Sequence, residues 1–279
     1  MTESVELAAG VVEYGDTRGD GPALVLLHGL AMDGRVWDPV IDELGSGYRC
    51  LTPTLPFGAH RVALKTDADL SLRGVGRIVA DFLGRLDLRD VTLVFNDWGG
   101  AQTMIADGLM ERVGRLVLTP CEAFENYPPG IEGRIAALSG RLPGGLSIMR
   151  RALATPAVRR LPFIYGRMSR RGVPEELMQS WLEPLRIAPI RRDLRKYVSA
   201  ARRGRREMLA ATTALASFER PVLVVWGPDD RMMRPANGRR LAGAFPDARL
   251  VEVEGSYVLM PIDQPAALSQ ALREFIAES

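Results

Sequence analysis

The residues best placed to do chemistry lie in Val91-Thr-Leu-Val-Phe-Asn-Asp97-Trp-Gly-Gly100, followed by an apolar helix-forming stretch from Ala101. A strand, a tight turn carrying glycines and a helix starting at once push the residue at the bend out beyond the sheet. The helix N-terminus behind that residue favours negative charge. Here the residue is Asp97, and a carboxylate in that position can attack carbon and form an ester. The plainer role for Asp97 is structural, because Asp is a preferred helix N-cap. Histidine, the usual partner of a nucleophile, occurs only at His28 and His60. His28 closes an apolar strand in His28-Gly29 and reads as structural, whereas His60, in Pro56-Phe-Gly-Ala-His60, follows a strand on the side where a ligand would bind.

The elements that must position Asp97 follow from hydrophobic patterning. Short runs rich in Val and Leu predict strands at Ala23–His28, Tyr48–Thr54, Val91–Phe95, Val113–Thr119, Val222–Trp226 and Arg249–Val253, as burial on both faces requires. Weaker strands near Val5–Ala8 and Val11–Tyr14 would form a leading hairpin. Leu72–Leu86 places Val75, Ile78, Val79, Phe82 and Leu86 three and four residues apart, the spacing of a core-facing helix, and Ala101–Met110 and Gln264–Ala277 read the same way. The alternation stops after Glu122 and resumes at Pro221. Between them lies a helical insert broken by prolines and glycines, placed to cover the crevice where open α/β sheets bind ligands. The expected organisation is a core over 1–123, a helical cap over 124–218 and the rest of the core over 219–279.

Composition narrows the class. The 279 residues are 47% hydrophobic and 25% charged, which excludes a disordered, collagen-like or disulfide-built chain. The formal charge of +2 gives no general reason to expect nucleic acid. Charge is unevenly spread, however: Ser147–Arg206 holds sixteen basic residues, only Lys196 not Arg, against four acids. That stretch suits an anionic substrate, an acidic partner or a membrane surface if its arginines face the right way, and a solvated helix face if they do not. Cys50 and Cys121 lie far apart with no neighbouring His, so no metal site is legible and buried free thiols are expected. No apolar run reaches the length of a membrane span and no leader pattern opens the chain, so a cytoplasmic protein, monomeric or homodimeric, is expected.

The order of His28-Gly29, Asp97 in its turn, Trp226-Gly-Pro-Asp-Asp230 after a late strand, and the long helical insert resembles the α/β-hydrolase fold over nearly the whole chain. The Asn-Asp-Trp-Gly-Gly turn is most similar to the haloalkane dehalogenase and epoxide hydrolase branch, in which Asp replaces Ser. The resemblance implies a mostly parallel eight-stranded sheet with helices on both faces and a helical cap. It also implies an enzyme acting on a small-molecule substrate without cofactor or metal. Carried over by position, it makes Asp97 the nucleophile and the backbone N–H groups of Leu30 and Trp98 the oxyanion hole. Asp230 and Glu122 compete for the role of supporting acid. The Trp98 indole, with Trp181 in the insert as a second donor, would fit halide binding, although Trp181 also reads as plain insert core.

Two departures stand out. Leu30 occupies the place where dehalogenases commonly carry a halide-binding Asn. In the C-terminal segment Glu254-Gly-Ser-Tyr-Val-Leu-Met-Pro261, where the family keeps its catalytic His, ungapped alignment gives Val258 and a one-residue gap gives Tyr257. Three readings therefore stand open. One is a hydrolase with a rearranged relay, in which Glu122 or Asp230 activates water and Tyr257 orients it. Another is a non-hydrolytic lyase, isomerase or cyclase with Asp97 and Tyr257 as acid and base. The third is a silent binding protein.

Overall fold

The computed structural model describes residues 2–278. The chain opens with the hairpin β1 (Thr2–Leu7) and β2 (Gly10–Asp16). It continues through β3 (Ala23–Leu27), α1 (Asp38–Leu44), β4 (Arg49–Pro53), α2 (Leu72–Arg85), β5 (Val91–Asp97), α3 (Ala101–Ala106) and β6 (Val113–Cys121). Six helices then follow without a strand: α4 (Gly130–Arg141), α5 (Gly145–Ala154), α6 (Pro156–Arg159), α7 (Glu175–Leu182), α8 (Ala188–Ser199) and α9 (Ala201–Ala211). The last units are β7 (Val222–Trp226), α10 (Pro235–Ala242), β8 (Ala248–Glu252), α11 (Met260–Asp263) and α12 (Pro265–Glu278).

The strands form one eight-stranded sheet ordered β1-β2-β4-β3-β5-β6-β7-β8. The β1–β2 and β2–β4 pairs are antiparallel, and β4 through β8 run parallel. The sheet is thus mixed but mostly parallel, as an α/β-hydrolase fold requires. Its central strand β5 is buried at every residue, which is why Leu93, Val94 and Phe95 follow one another without the alternation of a one-sided strand. In α2 the patterned Val75, Ile78, Val79 and Phe82 are all buried, each contributing about 1.5–3 kcal/mol of transfer free energy. The Ser71 hydroxyl accepts from Gly74 N–H and caps the helix start.

Several boundaries differ from the sequence expectation, β6 for one reaching Cys121, and two of the differences have a clear physical reason. Strand β5 runs two residues past Phe95, to Asp97, because Asp97 keeps its pairing with Cys121 beyond a register shift. Helix α3 ends at Ala106, four residues early, since Gly108 adopts a left-handed conformation that closes the turn. No described helix is long and apolar enough to cross a membrane.

Buried polar contacts tie the α4–α9 segment to the loops that follow β3 and β4. Asp193 on α8 accepts from Leu64 N–H at 2.9 Å and from the His60 Nε2–H at 3.4 Å. Gly58 N–H donates to His60 Nδ1 at 3.3 Å, which fixes that tautomer. From α7, the Trp181 Nε1–H donates to Asp33 Oδ1 at 2.9 Å. Asp193→Ala should leave Leu64 N–H and His60 without their buried partner and cost about 2 kcal/mol, read as a lower urea midpoint at unchanged slope.

Candidate active site

Asp97 ends β5 with φ of 62°, in the left-handed region that a β-carbon makes costly. Trp98 N–H donates back to Asn96 O at 2.6 Å across this bend, closing a γ-turn with Asp97 at its centre. The turn is possible because its neighbours lack side chains. A β-carbon on Gly29 would lie 1.9 Å from Asp97 Oδ2, and one on Gly99 would lie 2.2 Å from the Glu122 carbonyl oxygen. The glycines that looked like mere turn formers are clearances for the carboxylate and for the neighbouring strand end.

The Asp97 carboxylate is buried, and its Oδ2 accepts from Leu30 N–H at 2.9 Å. Burial pushes its pKa up to about 6, and the Leu30 N–H opposes that shift. Glu122 follows β6, with its own N–H on Asp97 O and its carboxyl accepting from Gly99 N–H at 3.3 Å. Burial first, and then the charge of Asp97, raise Glu122 well above the usual carboxylate range. Burial thus pushes both carboxyls above the usual range, and the charge of Asp97 acts on Glu122 in addition.

Both face a cavity of about 300 Å³. Its floor is built from strand ends, with Leu30, Phe57, Asp97, Trp98 and Glu122, and its walls come from α4, α5, α8 and the loop after α6. The walls are largely apolar, and no Arg or Lys is among the lining residues. The arginines of the insert do not line this site, so it offers no cationic partner to an anionic substrate. Three tyrosines do line it. Tyr127 and Tyr197 share a hydrogen bond of 3.3 Å, and the Tyr165 hydroxyl is buried without a partner. The Trp98 Nε1–H, between the rings of Phe57 and Phe95, is likewise buried and unpartnered.

Leu30, Asp97, Trp98 and Glu122 are thus brought together, and the remaining sequence candidates are not. The Trp98 backbone N–H, expected in the oxyanion hole, is spent on Asn96, which leaves Leu30 as the donor seen on Asp97. His28 receives Leu55 N–H on Nε2 and donates from Nδ1 to Gly29 O. Burial lowers its pKa to about 4, so it is a neutral structural ring. His60 and Trp181 serve the contacts to Asp193 and Asp33, so the halide-donor role considered for Trp181 is replaced by one in the insert's packing.

Tyr257 lies off the cavity, with the Arg170 guanidinium 5.4 Å over its ring. The cause is Asp263, which collects the N–H groups of Tyr257, Arg170 and Arg171 together with the Ser169 hydroxyl. That arrangement turns Val258 inward, where it is fully buried, and its carbonyl accepts from Asn96 Nδ2 at 2.7 Å. Asp230, also off the cavity, accepts Met232 and Met233 N–H on Oδ1, while its Oδ2 is buried without a partner. Among the described residues no histidine pairs with Asp230.

Sequence reasoning missed Tyr127, Tyr165 and Tyr197. Nothing local marks them, since they reach the cavity only through the packing of the insert.

A sheet with this order, a carboxylate on a strained strand-to-helix bend and a helical insert over the strand ends define an α/β-hydrolase fold. The family model for the alpha/beta hydrolase family matches residues 24–271, and the chain belongs to that family. It is 27% identical over 274 residues to an uncharacterised protein of Mycobacterium tuberculosis, covering 92% of this chain and 76% of that protein. It is 26% identical over 259 residues to a 2-hydroxy-6-oxo-6-phenylhexa-2,4-dienoate hydrolase of Comamonas testosteroni, covering 88% and 84%. The crystal structure of a haloalkane dehalogenase loop variant from Bradyrhizobium elkanii superposes with a TM-score of 0.77 at 18% identity, covering 100% of this chain and 97% of that one.

Asp230 gives a stability test. Burial raises its pKa to about 7, against the opposing Met233 and Met232 N–H groups. A raised carboxyl stabilises the fold below its unfolded pKa near 4, and that contribution is lost as pH rises through 7. Asp230→Asn keeps an acceptor for both N–H groups and carries no charge. Its melting temperature relative to the unsubstituted protein should therefore climb by several degrees between pH 5 and pH 8.

Proposed function

We propose that this family member is a hydrolase in which Asp97 attacks an electrophilic carbon of a small to medium, mostly apolar and uncharged substrate of ester, epoxide or halide type. The observation that carries this reading is the way Asp97 is held: on a strained bend, at the floor of an apolar cavity, with one oxygen on Leu30 N–H and the other left to react. A carboxylate with a pKa near 6 is ionised at neutral pH, and in so apolar a cavity it is poorly solvated.

The neighbouring Glu122 supports a preference for substrates whose breaking bond is carbon–oxygen. With an epoxide, Asp97 attacks a ring carbon, the carbon–oxygen bonding pair moves to the ring oxygen, and the Glu122 carboxyl gives that oxygen its proton. Glu122 is then a carboxylate. It takes a proton from water as the water oxygen adds to the Asp97 ester carbonyl, and the charge that develops on Oδ2 falls on the Leu30 N–H already in place. As the ester collapses, the freed alkoxide takes the remaining water proton, restoring ionised Asp97 and protonated Glu122. One residue serves as acid and then as base, the logic of paired carboxylates elsewhere. The scheme has no role for Tyr257. It also replaces a histidine, and a positioned base contributes roughly 10²- to 10⁴-fold, so turnover should be slow. The Comamonas hydrolase is named for a ketodienoate carboxylate, and the absence of cationic lining here argues for a different substrate.

The pairing of the two carboxyls also favours a second reading, in which Asp97 removes a proton and Glu122 returns one, without water as a reactant. The two are separated by incubating the protein with short epoxides, activated esters and haloalkanes and measuring its intact mass. The hydrolase reading expects an adduct on Asp97, and one atom of ¹⁸O entering that residue after a single turnover in labelled water. Solvent deuterium entering the substrate with no adduct would favour the proton shuttle. Asp97→Asn should lower kcat/KM by about 10³-fold or more, and the activity of the unsubstituted protein should rise with pH through about 6 as Asp97 ionises.

Glu122→Gln makes a separate prediction. It should slow turnover of carbon–oxygen substrates about 10²-fold or more, because the departing oxygen loses its proton donor, while sparing the first step on a haloalkane, whose leaving ion needs no proton.

A further inference from the structure

We propose that the outer face of α4, α5 and the loop after α6 docks on an anionic lipid surface and turns the mouth of the cavity toward it. On α4, Ile131 and Leu138 are 51% and 55% exposed, and Leu142, at the helix end, is 50% exposed. They fall with Arg134 and Arg141 at spacings of three and four, one stripe of the helix. Neighbouring α5 presents Ile148, 65% exposed, with Arg151 one turn on, and the following loop presents Phe163 at 44%. Large apolar side chains left this open cost free energy in water unless something covers them.

Charge identifies the cover. Residues 130–163 contain six arginines and a single acid, Glu132, which is buried. Arg134, Arg141, Arg150 and Arg151 join none of the ion pairs among the described residues, although most arginines elsewhere in the chain have an acidic partner. Unpaired arginines interleaved with bulky apolar residues on a helical surface match an interface in which apolar groups enter the acyl boundary and guanidinium groups meet anionic headgroups. A second copy fits less well, because two such faces would oppose like charges. Ile148 and Phe163 belong both to this face and to the cavity lining. A surface covering them would adjoin the cavity that holds Asp97, giving an apolar substrate dissolved in lipid a path that avoids water. This inference is independent of the reaction Asp97 performs.

The test is co-sedimentation of the intact protein with phosphatidylglycerol-containing vesicles and with pure phosphatidylcholine vesicles. Binding to the anionic vesicles should exceed binding to the neutral ones by about tenfold or more, and should weaken steeply as salt is raised. The double variant Leu138→Glu/Leu142→Glu, at positions outside the cavity lining, should lose about tenfold of that binding with an unchanged circular dichroism spectrum. Arg134→Gln/Arg141→Gln, which leaves the apolar residues in place, should lose the preference for anionic lipid. No binding to anionic vesicles, or equal binding by the Leu138→Glu/Leu142→Glu protein, overturns the proposal. So does a dimer in light scattering that the same Glu substitutions disperse, which would assign the face to a second copy.

Discussion

The site depends on one local constraint: Asp97 must hold a left-handed backbone at the end of a buried strand. That conformation costs free energy for any residue with a β-carbon, and several contacts hold it in place. Trp98 N–H closes the turn onto Asn96, the Asn96 amide is anchored to Thr119 and to Val258 O, and Gly29 and Gly99 leave room on both sides. The bend delivers the carboxylate to Leu30 N–H and to the cavity. Without it, Asp97 would be one more buried strand residue.

Burial then sets the chemistry. Two carboxyls placed in an apolar cavity cannot both ionise cheaply: burial raises both, Asp97 to about 6, and the charge of Asp97 raises Glu122 further. In the segment after the last strand, where the resemblance implies an imidazole, Val258 is fully buried, and one Asp230 oxygen is buried without a partner. The polar groups that do face the cavity are the carboxyl pair and the unpartnered donors of Trp98 and Tyr165. Outside the site, His28 and His60 are both committed to holding loops and helices in place.

Much of the architecture was legible because parallel strands buried on both faces must be continuously apolar and amphipathic helices must repeat at three and four residues. The strands β3 to β8, helices α2 and α12 and the position of the insert all follow from that rule. The end of β5 did not, because its last pairing is a tertiary contact with Cys121. Tyr257 and Val258 show the limit most plainly. They are adjacent in sequence and equally eligible by alignment, and the hydrogen bonds that gather at Asp263 decide which of them faces inward.

The sequence by itself determined the class of fold, the Asp97 bend and the lack of a histidine after the last strand, since each is a matter of residue type and local spacing. Only the tertiary structure decided that Glu122 meets Asp97 across one cavity, that three tyrosines from the insert line it, and that Asp230 and Tyr257 stand away from it. Those outcomes depend on contacts between residues tens of positions apart, and on the desolvation that only a packed interior imposes.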